Sequence, residues 1–522
     1  MSDIAICFAI LGGVVGLFVW NKLPVEIVAL AAALTLWATG VLSVEQAFAG
    51  FGDTTIIFIA SLFVVSEALD ATGVTTWAGN LVVDRASDRN RLVTLVMLLC
   101  ALLTALISVN GAVAALLPMV VILAIKLGEP TGQLLMPLAF AAHAGSLLAL
   151  TGTPVNVLVS EAADEAGLGK FGFFSFTIVG VPLLAGTIAI VLVFGKRLLP
   201  DRSGKVIPAD LSEQAKVLAR HYELDSEVTE SMISRDSGLA EVVVSPRSTM
   251  VGASVFPGMV TDSGDLIIVA VQRRGQDMGP GAVELSPGDT MLVQGAWADL
   301  EHQIEADPGV LVVDEPQLVR RQAVPLGPGA KRAMVILAGM VVLLATGVMP
   351  ASVAGLLAAL AMVLSGVMDI QQAYRSISWT TIVLVAGMIP LSHAVQQTGA
   401  ADKMAHALIR VVGDAGPYAL ILGVFLLTAV LGQLISNMAT ALIVAPVAVA
   451  AATELHVSGR PVLMVVSIAA AASFLTPVAT PVNMMVMEPG GYRFGEYWKL
   501  GLPLMLWFLA VAMGIVPLVW RF

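Results

Sequence analysis

Two stretches, one in each half of the chain, constrain it more than anything else: L150-T-G-T-P-V-N156 and L475-T-P-V-A-T-P-V-N483. Each lies inside an apolar run otherwise long enough to cross a bilayer. Gly152 with Pro154, and Pro477 with Pro481, stop an α-helix from continuing. The carbonyls that such a break frees at membrane depth are tolerated only where protein or a water-filled cavity satisfies them. A helix broken at corresponding places in two halves of a chain is the sequence mark of a secondary transporter's binding site.

The rest of the composition agrees. Of 522 residues 57% are hydrophobic and 12% charged, which predicts an all-α polytopic membrane protein. The net charge of -11 is local: residues 201–317 hold 20 acidic and 8 basic side chains, and the remainder is close to neutral. Nothing suggests a nucleic-acid partner. Cys7 and Cys100 both sit in apolar runs, so neither a disulfide nor a transition-metal site is expected. No pattern for an organic cofactor or for enzymatic catalysis stands out.

Apolar segments fall at about 4–22, 24–42, 54–72, 91–126, 134–164 and 175–197. The first reads as a retained span, because its start is acidic and carries no cleavage site. The fourth is too long for one simple span and carries S108-V-N-G111 near its middle. It predicts two half-helices meeting at a polar tip, a re-entrant hairpin. The same order returns after residue 320. Pro24 and Pro350, Gly40 and Gly366, and Q46-A-F and Q372-A-Y are separated by one constant offset; Pro118 pairs with Pro446 and Asn156 with Asn483. The reading is two membrane repeats, 1–200 and 320–522, of five spans plus one hairpin each. An odd number of crossings makes the second repeat inverted. Lys22, Arg85, Arg89, Arg91, Lys126, Lys196, Arg197, Arg202 and Lys205 share one side and Lys170 faces the other, which puts 201–319 in the cytoplasm of a cell (inner) membrane protein.

Between the repeats the pattern changes. Residues 205–236 read as a solvated helix and linker, and short β-branched runs with turns at about 239–313 predict a small α+β domain. The pieces E241-V-V-V-S-P-R-S-T-M-V-G252, L266-I-I-V-A-V-Q-R-R-G275, L285-S-P-G-D-T-M-L-V-Q-G295 and the acidic helix at 298–301 resemble the C-terminal ligand-binding domain of RCK (TrkA-C-like) modules. The resemblance implies a small-molecule ligand for this domain.

The second hairpin tip, S436-N-M-A-T440, offers neutral oxygens to a hard cation such as sodium, and half-helix N-termini suit an anion. Together with T476-P-V-A-T-P-V-N483 and the closing G490-G-Y-R-F-G-E-Y-W-K-L-G-L-P503, it resembles the divalent anion:sodium symporter family of the ion transporter superfamily. That resemblance implies an elevator-type homodimer carrying sulfate or a small dicarboxylate with sodium. It implies substrate contacts from Ser108, Asn110, Gly111, Thr153, Ser436, Asn437, Thr440, Thr480 and Pro481. It implies sodium contacts from Ser108, Asn110, Gly152, Asn156, Ser436, Asn437, Thr476, Ala479 and Asn483. The chain departs from the family pattern at Met438, Ala479 and Gly111. An ungapped register pairs Ser108 with Ser436 but Asn110 with Met438, and a one-residue deletion would pair the asparagines instead. An ion antiporter or arsenite-type exporter of the same superfamily is the competing reading, disfavoured because neither tip carries Asp or Glu. Glu67, Asp70, His143 and His393, in or near spans, read as interhelical polar contacts or as proton sites.

Overall fold

The computed structural model describes residues 2–20, 22–75, 77–78, 88–204, 222, 237–261, 264–297, 299–300, 310–313, 326–327, 329–412 and 416–522. The chain divides into two compact units: residues 1–68, 78–208 and 332–522, and residues 69–77 with 209–331. The first unit is helical. Its first half runs α1 (Asp3–Trp20), α2 (Val25–Ala38), α3 (Val44–Phe48), α4 (Thr54–Ala71), α5 (Arg89–Leu106), α6 (Val109–Leu127), α7 (Leu135–Gly145), α8 (Pro154–Glu165) and α9 (Thr177–Leu198). The second half runs α10 (Ala330–Thr346), α11 (Ala351–Leu364), α12 (Ile370–Ser376), α13 (Trp379–Gln397), α14 (Ala400–Val412), α15 (Pro417–Leu434), α16 (Asn437–Glu454), α17 (Gly459–Ala471), α18 (Pro481–Met487), α19 (Tyr497–Gly514) and α20 (Val516–Val519). Among the described residues, eight helical segments are long and apolar enough to cross a membrane.

The duplication reaches down to single backbone angles. Gly40 and Gly366 have φ of 77° and 69°, and Gly73 and Gly399 have 72° and 76°. Ser43 with Gln46 and Asp369 with Gln372 form matching capping boxes at the starts of α3 and α12, each satisfying two orphan N–H groups reciprocally. The halves also interlock. Helix α2 lies on α13, where a Cβ on Gly387 would come within 2.9 Å of the Ala29 backbone. Small residues at such a crossing let backbones approach, which is how helices associate in lipid, where apolar burial alone gives no preference.

Two differences from the sequence expectation stand out. The hairpin arms α5 and α6 have 18 and 19 residues, about 27 Å each at 1.5 Å per residue, longer than the half-helices expected. Helix α5 is among the eight long apolar segments, and the apolar stretch of α6, Val109–Ile125, is shorter. And α14, which packs Ala400, Ala401 and Ala405 into the core while exposing Asp402 and Lys403, is a helix that hydropathy passed over.

The second unit holds the sheet. Strands β1 (Ser237–Val244), β2 (Ser254–Val255), β3 (Leu266–Arg273), β4 (Gln276–Asp277), β5 (Val283–Glu284), β6 (Thr290–Ala296) and β7 (Val310–Val312) form a five-stranded antiparallel sheet in the order β4-β3-β6-β1-β7 and a two-stranded β2-β5 ribbon. Residue Ser237 faces Ala296 and Val243 faces Thr290, so alternate residues such as Val242, Val244, Met291 and Val293 fill one core with Trp297. The turn S286-P-G-D289 closes on itself, Ser286 N donating to Asp289 Oδ2 at 2.8 Å. The Arg273 guanidinium grips the same carboxylate, with Nε at 2.8 Å from Oδ1 and Nη2 at 2.7 Å from Oδ2. It holds that buried carboxyl below the usual range. The expected linker helix over 205–236 lies outside the described residues apart from Tyr222, as do Ala298 and Glu301 of the expected acidic helix.

Candidate functional site: two broken helices and two capped hairpins

The helix pair α7/α8 is interrupted at 146–153 and α17/α18 at 472–480, where the prolines and glycine demand it. Asparagine repairs the damage at both. Asn156 Nδ2 donates to Ser146 O at 2.8 Å and Ala149 O at 3.0 Å. Asn483 Nδ2 donates to Ser473 O at 2.8 Å and Thr476 O at 3.0 Å. One buried amide thus answers two freed carbonyls, ten and seven positions upstream, in each half. Thr153 and Thr480 cap the helices that restart, their Oγ1 atoms accepting from Val155 N and Asn483 N. The last long helix of each half backs its break with glycine: a Cβ on Gly180 would lie 2.1 Å from Leu147 O, and one on Gly501 2.3 Å from Phe474 O.

The hairpin tips are capped alike. Ser108 Oγ accepts from Gly111 N at 3.1 Å, and Ser436 Oγ from Ala439 N at 3.3 Å. Both serines are therefore N-caps of the returning helix, which selects the ungapped register: Asn437 stands opposite Val109, and Asn110 opposite Met438. Asn437 Oδ1 accepts from Ser473 Oγ at 2.7 Å, joining the second tip to its break. Asn110 is exposed and its side chain makes no hydrogen bond among the described residues. Gly111 fits under the cap because a Cβ would stand 3.0 Å from Ser108 Oγ. Gln433 ties the second break further, with Nε2 on Ala472 O at 3.2 Å and Oε1 taking Leu475 N at 3.0 Å. At the corresponding place in the first half, Thr151 Oγ1 donates to Ala105 O at 2.9 Å.

Gly152 and Ala479 occupy equivalent positions with different tolerances. A Cβ on Gly152 would sit 2.3 Å from Ser146 O, whereas Ala479 carries its methyl buried in place. Thr440 is buried, and neither its hydroxyl nor Thr476 Oγ1 has a partner among the described residues. Pro481 is exposed. The helices after the breaks cross over: α8 packs on α16 and α17 of the second half, and α18 packs on α6 and α7 of the first.

Several residues that sequence reasoning did not assign complete the frame. Tyr497 OH donates to Asn483 O at 2.6 Å. Tyr492 OH donates to Gly132 O and accepts from Met136 N. Arg202 donates from Nε to Gly491 O and pairs with Glu496. The closing aromatic motif is plain in the sequence, but its partners at Gly132, Met136 and Arg202 lie in the other half of the chain. Of the ionisable residues noted in or near spans, Asp70 takes Thr75 Oγ1 at 2.7 Å and His393 Nε2 lies 3.8 Å from Glu165 Oε1, an interhelical contact. His143 reaches a break: its Nε2 lies 3.2 Å from Asn483 Oδ1 and 3.3 Å from Thr480 Oγ1.

A polytopic helical protein whose halves each present a capped hairpin beside an interrupted helix has the build of a membrane transporter, not of an enzyme. The chain belongs to the citrate transporter (CitMHS) family, whose model matches residues 15–469. It is 30% identical to the Escherichia coli transporter YfbS over 97% of both chains. It is 28% identical to sodium/sulfate cotransporter 1 of Chlamydomonas reinhardtii over 52% of this chain and 32% of that one. In fold it is similar to the YdaH transporter of Alcanivorax borkumensis, with TM-score 0.50 and 13% identity over 97% and 98% of the two chains.

Proposed function

We propose that this transporter imports a small divalent anion, sulfate first among the candidates, by symport with sodium. The observation that carries the reading is the pair of asparagine-braced breaks beside serine-capped hairpins. It supplies neutral oxygens for a hard cation and the N-termini of α6, α8 and α16 for an anion, with no ionisable side chain at either tip. The sodium/sulfate name of an algal relative supports the same choice. The family description makes citrate the comparison substrate. In this reading the substrate residues are Ser108, Thr153, Ser436, Asn437, Thr440 and Thr480. The repeats are inverted, a homodimer works elevator-fashion, and the RCK-like insert is cytoplasmic and ligand-responsive.

The test is uptake of radiolabelled sulfate, succinate and citrate into proteoliposomes, with and without an inward sodium gradient. Sulfate accumulation that collapses without the gradient is the expected result. Accumulation indifferent to sodium for all three anions would sink the symport reading.

A further inference from the structure

The two breaks match atom for atom in how their asparagine Nδ2 is used, yet differ in what faces Oδ1. Asn156 is fully buried and its Oδ1 has no hydrogen-bond partner among the described residues. Asn483 is equally buried, and its Oδ1 faces His143 Nε2 at 3.2 Å. The orientation of Asn483 is fixed, since Nδ2 is committed to Ser473 O and Thr476 O. Its Oδ1 can only accept, so Nε2 of His143 must carry the hydrogen. His143 comes from α7 of the first half, where Phe474 packs edge-on against its ring at 5.8 Å. The equivalent position in the second half, at the offset that pairs Asn156 with Asn483, is Ala470, which has no donor to offer Asn156. A buried amide oxygen without a donor is costly unless something electropositive meets it.

We propose that the breaks are unequal in ion binding: Asn156 Oδ1 receives a coupling cation, and the His143 N–H stands in for that cation at Asn483 Oδ1. Each protomer then carries one sodium, and His143 is a positioning residue that keeps the second break in shape without an ion. The unpartnered hydroxyls of Thr440 and Thr476 do not restore a second cation site. A hydroxyl donates as well as accepts, and serves an anion as readily as a cation.

This inference rests on the sodium-symport reading, and the experiment separates the two. Sodium binding to the purified protein and the sodium dependence of anion uptake are measured for wild type, His143→Ala and His143→Gln. Wild type should bind one sodium per protomer with a Hill coefficient of about 1, and His143→Ala should bind two, its coefficient moving toward about 2. His143 Nε2 also lies 3.3 Å from Thr480 Oγ1, so the anion KM is read beside the sodium curve and the change in ion count and Hill coefficient is the deciding result. Glutamine keeps an N–H near the ε position and should restore wild-type sodium behaviour. Two sodium ions in wild type, a folded alanine variant with the wild-type sodium curve, or a change confined to the anion KM would overturn the assignment. If the alanine variant does not fold, the wild-type ion count and the glutamine curve still decide it. Absence of any sodium effect in wild type would instead bring down the symport reading, and this inference with it.

Discussion

At the first break the chain passes so close to the end of α7 that residue 152 has no room for a side chain, and the asparagine oxygen is left bare. At the second the same turn admits a methyl at Ala479, and the asparagine oxygen is covered by an imidazole borrowed from the other half. Both breaks have a glycine packed against their backbone, at Gly180 and Gly501, but the first adds the close approach at Gly152 with the Thr151 tie, and the second adds more side chains: Gln433, Ser473, Tyr497 and His143. Duplicated geometry need not mean duplicated energetics. The shared asparagine answers the physical demand common to both, two orphaned carbonyls at membrane depth, and everything else has been free to diverge.

The largest effects should come where the halves agree. Asn156→Ala and Asn483→Ala each strand two carbonyls at about 1–3 kcal/mol apiece, so sodium-driven uptake should fall by on the order of 30-fold or more. An uptake assay beside size-exclusion chromatography of both variants checks this; near wild-type uptake by either would dissolve the equivalence. The comparison sharpens at the next position. Gly152→Ala drives a methyl toward Ser146 O and should cost about 1–3 kcal/mol, as overpacking does, lowering uptake roughly tenfold. Ala479→Gly should cost less than about 1 kcal/mol and leave uptake within about twofold. If the two substitutions behave alike, the breaks are not held differently. Asn437→Ala should fall between them, because it removes one of the two acceptors of Ser473 Oγ, leaving Ala470 O, and leaves the cap at Ser436 intact; uptake and anion KM measure it.

The smallest effect on transport is expected from the insert. Arg273→Ala should loosen the sheet, seen as faster hydrogen exchange of β1 and β6 amides in the full-length protein, while uptake persists. The pH behaviour follows from the Asp289 carboxyl. Its acidity is raised on folding by the Arg273 guanidinium, so the contribution is present above the ordinary carboxylate range near about 4 and is lost as pH falls through the depressed value. Protection that vanishes already between about pH 7 and about pH 5, well above that range, would contradict the pairing.

The long apolar helices, the breaks and the insert's main strands were legible because proline, glycine and hydropathy act locally, whereas the amphipathic α14 was not. The asparagines were legible as break residues, but not the spacing of their acceptors at ten and seven positions upstream. The register of the first tip needed the cap itself, since Ser108 and Asn110 are one residue out of step with S436-N437. His143 could not have been found by motif: the ring and its partner Asn483 belong to different halves of the chain, and nothing local distinguishes it from a buried interhelical histidine. The Tyr492 and Arg202 contacts failed to show for the same reason.

The crossing of α8 onto α16 and of α18 onto α6 has a consequence for how the protein is made. Synthesis proceeds from the N-terminus, and the helix on which the first break finally rests begins at Asn437, more than half the chain after Asn156. At about 5–20 residues per second, the first break must wait roughly 15 to 60 seconds in the insertion machinery before its seat emerges.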